Sequence, residues 1–199
     1  MGRSTTATYY ADFTKPFSRN LAVVSNAVCF CDIPLADIDI HTSKYSRFGI
    51  AFLKSQLLRR GASPVFYVEQ NSVAYPHESD SRGKEFDEFG KDYETLFNSD
   101  LNELVKKSGS KGSPAYLRYS RRRRVSMFLG FQVLCFIKFF DSSLPDDHPE
   151  NFYMEREWRV LGTLKFDIGS VHRVLLPVEY ASRFHSDFPS YHQQVTFIE

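Results

Sequence analysis

The stretch NFYMEREWRVLGTLKF, Asn151–Phe166, sets two glutamates and two arginines around the single tryptophan of the chain. An extended backbone turns successive side chains to opposite faces. Phe152, Met154, Trp158 and Val160 then share one face, interrupted by Arg156, and Tyr153, Glu155, Glu157 and Arg159 share the other. This strand reading makes Trp158 a core residue and sets Glu155 and Glu157 about 7 Å apart, with Arg159 next in line. A helical reading stays open, because Met154, Trp158 and Leu161 also keep helical spacing.

Working outward, TLKFDI (163–168) is expected to pair back as a hairpin about Gly162. VHRVLLP (171–177) reads as a third strand, VEYASRFHSDF (178–188) as a helix closed by Pro189, and QQVTFIE (193–199) as a final strand. Toward the N-terminus, NAVCFC (26–31) is a short strand ending at a turn-like DIP, and LADIDIHTSKYS (35–46) supplies one or two helical turns. FGIAFL (48–53) is a strand, and KSQLLRRG (54–61) is a short helix stopped by Gly61, which tolerates a left-handed C′ conformation. SPVFYVEQ (63–70) is a further strand, with Pro64 at its start where no ladder donor is lost.

The middle of the chain differs. Residues 76–112 read as an acidic, flexible helical insertion, in which Tyr93, Leu96, Phe97, Leu101 and Leu104 keep helical intervals. A second long helix is expected from about Ala115 to Phe139, with the apolar run Val125–Ile137 buried. Strands, then helices, then strands predict an α+β fold: a mixed sheet of split strands with a central two-helix insertion, in one domain spanning 1–199 whose first twenty residues are irregular.

Bulk composition narrows the function classes. Lys plus Arg number 25 against 24 Asp plus Glu, so no global field recruits nucleic acid or a membrane. Three cysteines, an odd number without disulfide-framework spacing, favour a reducing, cytoplasmic setting. The N-terminal residues lack the apolar core of a signal peptide. Val125–Ile137 is shorter than the ~20 residues a bilayer span needs.

Three groups of residues carry candidate chemistry. Glu155 and Glu157 form a carboxylate pair in which one member can stabilise a developing positive charge while the other positions a nucleophile. The alternative is a solvated strand face on which Arg159 offsets the two acids. Asp32 follows a strand end, and His41 and Tyr45, four apart, share a helix face and are suited to bind a ribose or phosphate or to carry a proton. The competing reading is a surface histidine bonded to backbone. Cys29 and Cys31 with Asp32 and His41 lack the second ligand pair of a closed zinc site, so no metal is expected. Arg121, Arg122, Arg123 and Arg124, with Arg118 and Tyr119, are able to grip phosphates and stack a base. The alternative is the exposed start of a long helix whose arginines face the acidic 78–103 segment, which the near-neutral net charge favours over nucleic acid; a contact with a partner protein is the third option.

Three blocks together resemble the AbiGi family of bacterial abortive-infection proteins. They are CFCDIPLADIDIHTSKYSRFGIAFLKSQLLRRGASPVFYV from Cys29, FYMEREWRVLG from Phe152, and VHRVLLPVEYASRFHSDFPSYHQQVTFIE from Val171. The blocks span about Val28 to Glu199. Their marks are the Cys-Phe-x-Asp-Ile-Pro-Leu turn, the His41–Tyr45 step and the Glu155-x-Glu157-Trp158-Arg159 strand. The resemblance implies the antitoxin half of a phage-resistance toxin–antitoxin pair whose toxin is nucleotidyltransferase-like. Its implied partner is the cognate toxin or that toxin's cellular target, reached without direct toxin contact, and no cofactor or membrane is implied. Ser46 stands where the family tends to have glycine, and the family's opening strand with a His-Phe-Thr-like motif is expected to be missing. The split strands around a helical insert are also similar to ADP-ribosyltransferases. That likeness implies NAD as cosubstrate, Glu157 as catalytic carboxylate and Glu155 as its orienting neighbour, although no first-strand Arg or His completes the usual set. An antitoxin is therefore the leading expectation, with an NAD-cleaving transferase and a nucleic-acid-binding module as alternatives.

Overall fold

The computed structural model describes residues 2–3, 16–19, 26–72, 81–99, 103, 106–107 and 109–198. The strands in chain order are β1 (Gly2–Arg3), β2 (Ala27–Phe30), β3 (Gly49–Ala51), β4 (Ser63–Pro64), β5 (Phe66–Glu69), β6 (Ile137–Phe140), β7 (Trp158–Leu161), β8 (Lys165–Phe166), β9 (Arg173–Pro177) and β10 (Gln194–Ile198). Helices and strands are both abundant and the sheets are small, which makes the fold α+β. The chain divides into two compact units. One is built chiefly from Asn26–Pro64 and Asp146–Glu199, the other chiefly from Val65–Pro145.

The first unit holds two three-stranded sheets. In one, β2 and β4 flank β7 and both run antiparallel to it, with Val28 opposite Val160, Phe30 opposite Trp158, and Cys29 opposite Arg159. Partners across a ladder share a face. Val28, Phe30, Trp158 and Val160 therefore point into a core completed by Leu57, Ala62 and Leu164, while Cys29, Ser63 and Arg159 share the opposite face. In the other sheet β9 lies parallel to β10 and antiparallel to β3. The parallel pair needs a crossover, and the helix Ala181–Asp187 lies within that connection. Val171, Val174, Leu176 and Tyr191 form its core.

The structure departs from the sequence expectation around β7. The strand begins only at Trp158, because β2, its neighbour, ends at Phe30. Before it, Tyr153–Glu155 make a 3-10 turn and Arg156 adopts φ 47°, ψ 51°, a left-handed conformation disfavoured for a residue with a Cβ. Alternation thus governs Glu157 onward and not Glu155. Nor does β7 form a hairpin with β8. The chain turns at Gly162, whose φ of 81° suits glycine, and Gly162 N–H donates to Asn26 O. Leu164 then dips into the core, so β8 pairs with β1 instead.

In the second unit β5 pairs in parallel with β6. Ser81 caps the helix Arg82–Tyr93 by accepting from Lys84 N–H, and Ser113 caps Pro114–Phe128 by accepting from Tyr116 N–H. Proline at the first turn of the latter loses no helical donor. Phe17, Val68, Tyr93, Leu134, Ile137 and Phe139 make the core, and Gly90 lets the first helix lie directly against Phe17.

The structure differs from the sequence expectation in three further places. SPVFYVEQ is not one strand: Ser63–Pro64 pairs with β7, whereas Phe66–Glu69 pairs with β6. The second helix stops well short of Phe139. It passes through a π turn at Leu129–Val133 and a 3-10 turn at Leu134–Phe136 into β6, where Ile137, Phe139 and Phe140 favour extended backbone. Nor is Val125–Ile137 a buried helix, since Phe128 is 58% and Val125 48% exposed while Leu134 and Ile137 are buried. Within the expected 76–112 insertion, residues 76–80 and most of 100–108 lie outside the described residues. No helix among the described residues is long and apolar enough to cross a membrane.

Candidate functional site

The end of β2 delivers Cys31 and Asp32 to a turn. Leu35–Asp37 and Ile38–Lys44 then wind as 3-10 and α-helix, and the helix closes with Tyr45 N–H donating to His41 O. His41 and Tyr45, four residues apart, stack with ring centroids 4.6 Å apart. Lys44 fastens the helix to the 146–155 segment. Its Nζ donates to the backbone oxygens of His148 and Asn151, each at 2.9 Å.

Glu155 is the meeting point. Its side chain accepts the Tyr45 hydroxyl in a short hydrogen bond, and its backbone oxygen accepts from Asp32 N–H at 3.2 Å. Beside it, Cys31 Sγ lies 3.8 Å from His41 Nε2. Burial holds the His41 pKa below its ordinary 6.5; Glu155 acts against this shift and Lys44 adds to it. His41 Nδ1 is buried with no hydrogen-bond partner among the described residues, which suits a neutral ring. Burial also pushes the Cys31 thiol up, and Glu155 and Asp32 reinforce that against a backbone hydrogen bond. Both groups are thereby kept uncharged near neutral pH.

Glu157 and Arg159 make a separate pair. Arg159 Nε donates to Glu157 Oε1 at 2.6 Å, and the two side chains are only 3% and 7% exposed. Burial opposes the arginine's charge, but the hydrogen bond and charge of Glu157, with a smaller share from Cys29, outweigh it and raise the Arg159 pKa. Each member of such a pair is the other's compensation for lost hydration.

The sequence-predicted residues thus divide. Asp32, His41, Tyr45 and Glu155 come together, Glu157 and Arg159 engage each other, and Arg121–Arg124 stand on the helix Pro114–Phe128 of the second unit. Asp32 is additionally paired with Lys54 Nζ at 2.5 Å, and that ammonium lies 4.9 Å from the Trp158 ring centroid. Sequence reasoning missed Lys54, because no spacing rule links it to a strand a hundred residues on. It also missed an apolar cleft of about 420 Å³ lined by Phe48, Ile50, Val174, Tyr180 and Phe184, whose residues read in sequence as ordinary core positions.

The family description "Putative abortive phage resistance protein AbiGi, antitoxin" matches residues 5–187. The chain belongs to the AbiGi family. Neither the curated proteins nor the solved structures give a match. The AbiGi match begins at residue 5, well ahead of the Val28 at which the recognisable blocks start. The opening strand expected to be missing would fall on residues of which 4–15 lie outside the described ones. The AbiGi region takes in the whole Cys31–His41–Tyr45–Glu155 cluster, the Glu157–Arg159 pair and the arginine run.

Proposed function

We propose that this AbiGi protein is the antitoxin half of a toxin–antitoxin pair in bacterial phage defence, and that it acts by binding, or by countering its toxin's effect, rather than by catalysis. The observation that carries the non-enzymatic part is the Glu157–Arg159 pair, buried and closed at 2.6 Å. A carboxylate that stabilises a cationic ribose must present its charge to substrate. Here the Glu157 charge is engaged by Arg159, and Glu155 is 9% exposed and holds the Tyr45 hydroxyl. On this reading Asp32, His41, Tyr45 and Glu155 are a polar brace that ties the His41 helix to the turn before β7 within the first unit, and Glu157 and Arg159 are a separate, closed pair. The NAD-cleaving alternative needs that pair to open, and no observation favours it.

The test is co-expression with a nucleotidyltransferase-like toxin encoded beside the gene. The protein should restore growth, while the purified protein releases no nicotinamide from NAD. Nicotinamide release above the buffer rate would overturn the non-enzymatic part, and failure to restore growth would overturn the antitoxin part.

A further inference from the structure

The helix Pro114–Phe128 is unusual in having no buried residue over fifteen positions. From Ala115 to Lys138 the sequence contains no acidic residue, yet it carries five arginines. Among the described residues, no ion pair involves Arg118, Arg121, Arg123 or Arg124. The charge is accompanied by large apolar side chains. Leu117, Val125, Met127, Phe128, Phe131 and Val133 are all between 38% and 58% exposed. At 3.6 residues per turn, Leu117, Arg121, Arg124 and Phe128 follow one another along a single stripe.

We propose that this stripe is a docking surface for an acidic, amphipathic helical segment of a partner protein. Charge complementarity requires an acidic partner, because four exposed guanidinium groups, two of them on the stripe, stand on a helix that carries no carboxylate. The apolar share decides what kind. Arginine, methionine and phenylalanine exposed together have the composition of a protein interface core. A nucleic-acid backbone would pair with the arginines and leave Leu117, Val125 and Met127 uncovered. The tyrosine suited to stack a base, Tyr119, is half-buried and packs against Tyr116 with centroids 6.3 Å apart. A bilayer surface calls for charge and apolar groups on opposite helix faces. Here Arg121 and Arg124 lie between Leu117 and Phe128 on the same one. A partner helix with glutamates flanking a leucine seam meets both kinds of group at once. The surface recruits such a segment whether or not the segment belongs to a toxin.

Fluorescence anisotropy with the full-length protein tests this directly. The probes are a labelled helical peptide with a leucine seam and flanking glutamates, the same peptide with serine in the seam, and a labelled 20-nucleotide single-stranded RNA. The leucine–glutamate peptide should bind, and Phe128→Ala should weaken it about tenfold or more. The paired reversal Arg121→Glu with Arg124→Glu should abolish binding, and a peptide with lysines in place of glutamates should then bind the reversed variant. That rescue excludes misfolding as the cause of the loss. Equal binding of the serine peptide, RNA binding without peptide binding, or failure of the lysine peptide to rescue would each overturn the proposal.

Discussion

Tyr45 donates its hydroxyl hydrogen to Oε1 of Glu155, a residue 110 positions further along the chain. The bond ties the end of the His41 helix to the turn that precedes β7. Tyr45→Phe keeps the ring against His41 and removes only the donor. A hydrogen bond to a charged group contributes about 1.5–3 kcal/mol. Tyr45 is more than half exposed, so water competes and the loss should fall at the lower end. Urea unfolding of the two proteins checks this, and an unchanged midpoint would mean that the bond does not brace the helix.

His41 should make stability depend on pH. Its native pKa lies below 6.5, the unfolded value, because burial disfavours the charged ring. As pH falls through 6.5 the unfolded chain takes up a proton that the native chain refuses. Stability present above 6.5 is therefore lost toward acid, with a slope of up to about 1.4 kcal/mol per pH unit. His41→Gln should flatten the stability profile between pH 7 and 5 relative to the unaltered protein. A steeper profile in the variant would show that the ring is protonated in the native state.

The Glu157–Arg159 pair should behave asymmetrically under mutation. Arg159→Ala leaves a carboxylate buried without its partner and should cost about 3–5 kcal/mol. Replacing both, Glu157→Leu with Arg159→Met, removes the desolvation penalty along with the attraction and should cost much less than the single change. A double-mutant cycle on chemical unfolding reads the coupling; strictly additive losses would show that the two charges stand independently.

Gly90→Ala tests the second unit. Alanine ordinarily stabilises a helix interior over glycine by about 1 kcal/mol. Here a Cβ would meet Phe17 Cβ at 2.7 Å, inside contact distance. Overpacking of this kind costs about 1–3 kcal/mol, so the substitution should destabilise on balance. A raised melting temperature would show that Phe17 moves aside freely.

Much of the fold was legible because it rests on local rules. The β2 run, the His41 helix, the helix stopped at Gly61 and the β9–helix–β10 order follow from apolar spacing and turn residues. The core side of Trp158 and Val160 follows from the period of two, as does the shared direction of Glu157 and Arg159. What was not legible depends on partners distant in sequence. Nothing local marks Arg156 as left-handed, since its conformation is imposed where β7 loses its neighbour and Glu155 O meets Asp32 N–H. The division of SPVFYVEQ between β7 and β6, and the choice of β1 for β8, are likewise long-range. The Val125–Ile137 run misled because continuous apolarity suggests burial whichever structure forms, whereas this helix leaves its apolar side chains exposed among arginines.

The measurement that bears most directly on the central claim is growth rescue by Glu157→Gln in cells expressing the toxin. Glutamine keeps an oxygen that can accept from Arg159 while removing the charge that transferase chemistry needs. Rescue should equal that of the unaltered protein at matched protein levels. Loss of rescue with folded protein at the same level would contradict it and make Glu157 a working carboxylate.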